Sequence, residues 1–79
     1  MTRWELLKII KAATDYVIVT VGGRGYTIIL IDGCPNIGEW GCKTGGRTFN
    51  NGEELLGAFF INDRKLSDMV ADIVVKDWC

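Results

Sequence analysis

Gly22-Gly23-Arg24-Gly25 has the composition of a phosphate cradle, with glycines that let backbone N–H groups approach an anion and a cation beside them. Phosphate loops, however, run into a helix whose N-terminus supplies further donors. Here the segment leads into Tyr26-Thr27-Ile28-Ile29, a β-prone run, so it reads as a hairpin turn. Gly41-Cys42-Lys43-Thr44 ends like a nucleotide-binding loop but lacks that loop's upstream glycine and its strand-to-helix setting. Cys34, Cys42 and Cys79 are soft ligands, yet zinc sites take four ligands in closely spaced pairs, and Cys34 and Cys42 stand as C-x7-C in a chain without histidine. No metal and no cofactor is expected. Asp68 and Asp72 are one helical turn apart, but with Lys65 and Lys76 flanking them they read as a solvated face rather than a catalytic pair. With no histidine, and Ser67 as the only serine, imidazole-based acid–base and nucleophilic schemes drop out, and an enzyme is not expected.

Trp40 is different in kind. It stands in the most glycine-rich stretch, where an aromatic with little neighbouring bulk serves either as an exposed contact residue or as a plug folded back over the open end of a sheet. Arg24, Lys43 and Arg47, if gathered around Trp40, would form the basic-plus-aromatic surface that stacks single-stranded bases, which is the alternative function. The charge balance works against it. A net charge of −1 creates no field that would draw in polyphosphate.

The elements that must position these residues follow from periodicity. Thr2-Arg3-Trp4-Glu5 is a capping box, and Leu6, Ile9, Ile10 and Ala13 recur at helical spacing behind it. Residues 16–21 and 26–31 are rich in β-branched and aromatic side chains and flank the glycine turn, which predicts a hairpin. Pairing Val21 with Tyr26, Val19 with Ile28 and Val17 with Leu30 puts these six on one face, and Tyr16, Ile18, Thr20, Thr27, Ile29 and Ile31 on the other. Residues 32–51 read as loops around a third strand at 39–44. A second cap at Asn51 predicts a helix carrying Leu55, Leu56, Phe59 and Phe60. After a break at Ile61-Asn62-Asp63, the stripe Leu66, Met69, Val70, Ile73, Val74 and Trp78 predicts a third helix.

The expected architecture is a single α+β domain over residues 1–79, with a three-stranded antiparallel sheet, an N-terminal helix and two C-terminal helices (α-β-β-β-α-α). Helices one and three would pack on the Val17 face, and helix two would close an edge. Trp4 to Ile10 is interrupted by Lys8 and is no signal-peptide core, no apolar stretch approaches bilayer length, and an odd cysteine count suits reduced thiols; a cytoplasmic protein with no membrane contact is expected.

The helix, hairpin, strand and helix order resembles that of double-stranded RNA-binding domains, although Glu53 and Glu54 stand where that family gathers basic residues. Glu5-Leu6-Leu7-Lys8-Ile9-Ile10-Lys11 followed by Asp15-Tyr16-Val17 resembles the helix-to-strand opening of small phage-encoded inhibitor proteins of the anti-CRISPR kind. Such a resemblance implies a small accessory or inhibitor protein of a phage or mobile element, acting by protein contact. Nearly balanced charge departs from the acidic surface of DNA-mimicking inhibitors, so no site residue is carried over. The expected function is thus a non-enzymatic protein-interaction module. Its candidate surface is Tyr16, Ile18, Ile29, Ile31 and Trp40, covered by an unidentified protein or by a second copy in a homodimer, unless the second helix or the glycine-rich segment crosses to that face.

Overall fold

The computed structural model describes residues 1–40 and 46–79. Helix α1 (Arg3–Ala12) begins at the predicted capping box: the Thr2 hydroxyl accepts from the Glu5 N–H at 3.2 Å, and the Glu5 carboxylate accepts from the Thr2 N–H at 3.4 Å. Strands β1 (Tyr16–Val21) and β2 (Arg24–Ile31) form the predicted hairpin. Its turn is tighter than expected, because Gly22 and Gly23 alone make it, both at positive φ, and Arg24 and Gly25 already belong to β2.

The expected register is therefore corrected by two residues. Val17 pairs with Ile28, Val19 with Tyr26 and Val21 with Arg24. A shift of two preserves side-chain parity, so Val17, Val19, Val21, Tyr26 and Ile28 still share the buried face.

Strand β3 (Cys34–Glu39) lies earlier than the sequence reading placed it; of the expected strand at 39–44, residues 41–45 lie outside the described residues. The joint with β2 is Asp32-Gly33, both at positive φ, a strong local hairpin signal. Pro35 sits within β3 opposite Leu30. Leu30 directs its N–H to Asp15, away from β3, so this is a pair without mutual hydrogen bonds and the proline nitrogen costs the β2–β3 ladder nothing. A short β4 (Arg47–Thr48) follows β3 at the edge.

Asn51 caps α2 (Gly52–Ala58), accepting from the Glu54 N–H at 2.7 Å, but the helix stops before Phe59. Phe60 instead enters a small hairpin, β5 (Phe60–Ile61) and β6 (Arg64–Lys65), whose turn residues Asn62 and Asp63 adopt positive φ. The expected third helix is also corrected. Leu66–Asp72 is a 3-10 helix, and Ile73–Trp78 is strand β7, antiparallel to β1. Ile73-Val74-Val75 is a β-branched run, which disfavours helix and fits the pleated edge that β1 leaves open.

The α-β-β-β-α-α order with three strands is thus replaced. An α+β fold holds, but with a five-stranded antiparallel sheet ordered β4-β3-β2-β1-β7 and a separate two-stranded sheet. Residues from α1 (Leu6, Ile10), α2 (Leu55, Leu56) and the 3-10 helix (Leu66, Met69) share one apolar core with Val17, Val19, Ile28, Ile37 and Ile73 of the large sheet. The second helix therefore does not close an edge. Among the described residues, all three helical segments cover the same side, and none of them covers the sheet's other side; the glycine-rich segment, the other candidate cover, lies partly outside the described residues.

Candidate functional site

The open side is set out by strand alternation. Across the sheet, Tyr16 stands opposite Ile29, Ile29 opposite Asn36 and Asn36 opposite Thr48, while in the next row Asp77, Ile18, Thr27 and Gly38 are successive neighbours. Ile29 and Ile31 are 47% and 51% exposed, and Val74 of β7 is 51% exposed. Ile18, held in the centre between β2 and β7, is half-buried. Tyr16, Ile18, Ile29 and Ile31 are therefore brought together on one continuous surface, as the sequence pattern required.

Trp40 joins them. Its backbone N–H donates to the Gly25 carbonyl at 3.0 Å, and its indole Nε1 donates to Thr27 Oγ1 at 2.9 Å. The ring lies over Gly25, where a Cβ would overlap it, and is still 54% exposed. The indole closes over the end of the β1–β2 hairpin and presents its outer face to solvent. Gly25 is the enabling position, since only a residue without a side chain lets an indole lie flat on the strand.

Three polar pairs on this face bond to one another, the Trp40–Thr27 bond among them. The Tyr16 hydroxyl donates to Asp77 Oδ2 at 3.0 Å, and the hydrogen bond and negative charge of Asp77 hold the phenol above its ordinary pKa of 10.0. Asn36 Nδ2 donates to Thr48 Oγ1 at 2.7 Å. Thr27 lies on this face as the alternation predicted, but Asn36, Val74 and Asp77 escape the sequence reading, which had no β7 and no strand at Cys34–Glu39. The Asp32-Gly33 pair and the Ile73-Val74-Val75 run were the signals for both.

The alternative nucleic-acid cluster does not assemble around Trp40. Arg24 and Arg47 have the strand parity of Tyr26 and Ile37, on the helix side of the sheet, and Trp40 lies on the other. Arg24 pairs with Glu39 at 3.8 Å, and the Arg47 guanidinium sits 5.3 Å from the Phe49 ring centroid. Both arginines border an open cleft of about 360 Å³ with Phe59 and Phe60. Lys43 lies outside the described residues, as does Cys42. Cys34 and Cys79 are free thiols, and among the described residues no three His, Cys, Asp or Glu side chains converge as a metal site. Asp68 and Asp72 fall on the 3-10 helix, where the three-residue period does not stack positions four apart, and both are exposed. A second groove, of about 470 Å³, runs between α1, the β2–β3 turn and the start of α2, lined by Leu7, Ile10, Leu30, Lys11 and Glu53 among others. Among the described residues no helix is long and apolar enough to cross a membrane.

No family model, curated protein or solved structure matches this chain.

Proposed function

We propose that the chain is a non-enzymatic protein-interaction module that docks through the open face of its large sheet. One observation carries the reading: Ile29, Ile31, Val74 and Trp40 are each about half exposed on a single face, where Tyr16 bonds to Asp77, Asn36 to Thr48 and Trp40 to Thr27. Contiguous apolar surface of this kind is retained where it meets another molecule, and tryptophan is a favoured anchor of such contacts. The face fits a protein better than a nucleic acid, because the two described arginines of the alternative cluster lie on the sheet's other side. The resemblance of its opening residues to phage-encoded inhibitors makes an accessory or inhibitor role the biological setting of this proposal. A cytoplasmic location belongs to it on the strength of the odd cysteine count.

The test compares wild-type protein with a folded Ile29→Lys variant as baits in source-cell extract, alongside light scattering of each alone. A protein retained by the wild type and lost by the variant, or a wild-type dimer that the variant dissociates, supports the reading. Identical retention profiles together with a monomeric mass for both would overturn it.

A further inference from the structure

On the helix side of the large sheet, Arg24, Glu39 and Arg47 face the 59–62 segment across an open cleft of about 360 Å³. Its aromatic wall is fixed. Phe59 is wedged edge-to-face between Tyr26 and Phe49, with ring centroids 6.2 and 6.4 Å away. Phe60, next along the chain, also borders the cleft and is half exposed. Aromatic side chains at the wall of an open cleft are a platform on which a flat ring stacks.

The cations stand at the two ends. Arg47 is in line with Ile37 and Ile28 across the sheet, whereas Arg24 precedes Ile28 by four residues on β2, which separates the two by roughly 10 Å across the sheet and 13 Å along it. Each is held where it stands: the Arg47 guanidinium lies 5.3 Å from the Phe49 centroid, and Arg24 Nε is 3.8 Å from Glu39. Because they do not converge, a ligand that engages both carries two anionic groups with an uncharged middle. The middle of the cleft is polar in a particular way. Asn62 supplies an amide that both donates and accepts, and Glu39, the one acidic side chain among the described residues that line the cleft, only accepts.

An amide and a carboxylate are partners for the edge of a nucleobase, and here they sit beside rings that stack one. Glu39 accepts from base amino groups but repels the side chains of an acidic peptide. We propose that this cleft binds one nucleotide of a single strand, its base against Phe59 and Phe60 and its two flanking phosphates at Arg24 and Arg47. The basic pair is the one the sequence singles out, but its aromatic partner is Phe59-Phe60 rather than Trp40. With two phosphates engaged and a net charge of −1, the affinity is low and the site suits a short segment rather than a long polyanion. The inference does not rest on the interaction reading, since the cleft and the open face lie on opposite sides of the sheet.

Amide chemical shifts of the protein titrated with oligothymidylate at low salt, together with fluorescence polarisation of the labelled strand, test the site. Saturable binding is expected, moving the amides of Gly38, Arg47, Phe60 and Asn62 and leaving Ile29 and Ile31 unmoved. The logarithm of affinity falls against that of salt with a slope of about −1.4, the value for two phosphates of a single strand. Arg24→Gln, Arg47→Gln and Phe60→Ala each weaken binding about tenfold, but only the arginine variants lower the slope, by about 0.7 each. Lys8→Gln, the same change of charge at an exposed position of α1, leaves binding unaltered. If Phe60→Ala disturbs the fold by circular dichroism, the arginine variants and this control decide. Thymidine bisphosphate bound as tightly as the strand assigns the site to a free nucleotide, and tighter binding by the strand assigns it to a polymer; either supports the proposal. Absence of saturable binding, equal weakening by Lys8→Gln and Arg47→Gln, shifts centred on Ile29 and Trp40, or equal competition by oligoglutamate overturns it.

Discussion

The two faces of the β1–β2 hairpin are built from nearly the same residues and meet opposite fates. On one, Val17, Val19, Val21, Tyr26 and Ile28 are at most 5% exposed beneath the three helical segments. On the other, Ile29 and Ile31 are about half exposed beside Trp40. Hydrophobicity does not separate them. What separates them is where the connections run: α1, α2 and the 3-10 helix each present one apolar stripe, and all three stripes are spent on the same side. An apolar sheet face left over after the core is complete is surface available for recognition rather than for stability.

Substitutions that exchange the properties of the two faces should separate them sharply. Val19→Asp places an unpaired carboxylate in the core between β2 and β7 and is expected to cost more than about 4 kcal/mol, enough to unfold a domain of this size. Chemical denaturation monitored by circular dichroism measures this, and a cooperative, native-like Val19→Asp protein would contradict the assignment of that face. Gly25→Ala acts on the other side. Its methyl group displaces the Trp40 indole, breaks the bond to Thr27 and costs about 1 kcal/mol, seen as a shifted indole N–H resonance in a protein that stays folded.

Ile29→Lys should leave stability within about 0.5 kcal/mol, because the side chain is already about half in water, and its effect should be confined to association. A loss comparable to that of Val19→Asp would mean that something buries this face.

The smallest effect is electrostatic. Since Asp77 favours the neutral phenol, Tyr16 is expected to titrate above 10.0, and Asp77→Asn should bring it back down, as followed by NMR of the Tyr16 ring. By linkage, the small stabilisation is present below the ordinary tyrosine value and disappears as pH rises through the higher folded value. A Tyr16 titration unmoved by Asp77→Asn would remove Asp77 as the cause.

Local chemistry made several of these features legible in advance. Thr2 and Glu5 announce the start of α1, two glycines at positive φ announce the hairpin, and strict alternation along Tyr16–Val21 sorts the two faces correctly even though the pairing is displaced by two residues. Face assignment survives such an error because parity repeats every second residue, whereas register depends on how many residues the turn consumes, and Arg24-Gly25 gave no local sign that they belong to the strand. Leu66, Met69 and Ile73 misled for a related reason. Spacings of three and four fit an α-helix, but they also fit a 3-10 turn that ends at the head of a strand, and only the β-branched run of Ile73-Val74-Val75 distinguishes the two.

The sequence by itself determined the α+β class, the starts of α1 and α2, the central hairpin and the apolar character of both its faces, because capping, turn chemistry and alternation act over a few residues. That the second helix joins the first on the Val17 face, which the sequence reading already expected to be buried, and that Ile73–Trp78 completes the sheet beside β1, were decided only by the tertiary structure. Tyr16 and Asp77 meet across 61 residues of chain. Trp40 and Arg24 lie on opposite sides of one sheet although Trp40 bonds to Gly25, the chain neighbour of Arg24. Such placements depend on competition among segments for the same edge and the same core, and that competition is settled by total burial rather than by the preference of any one segment.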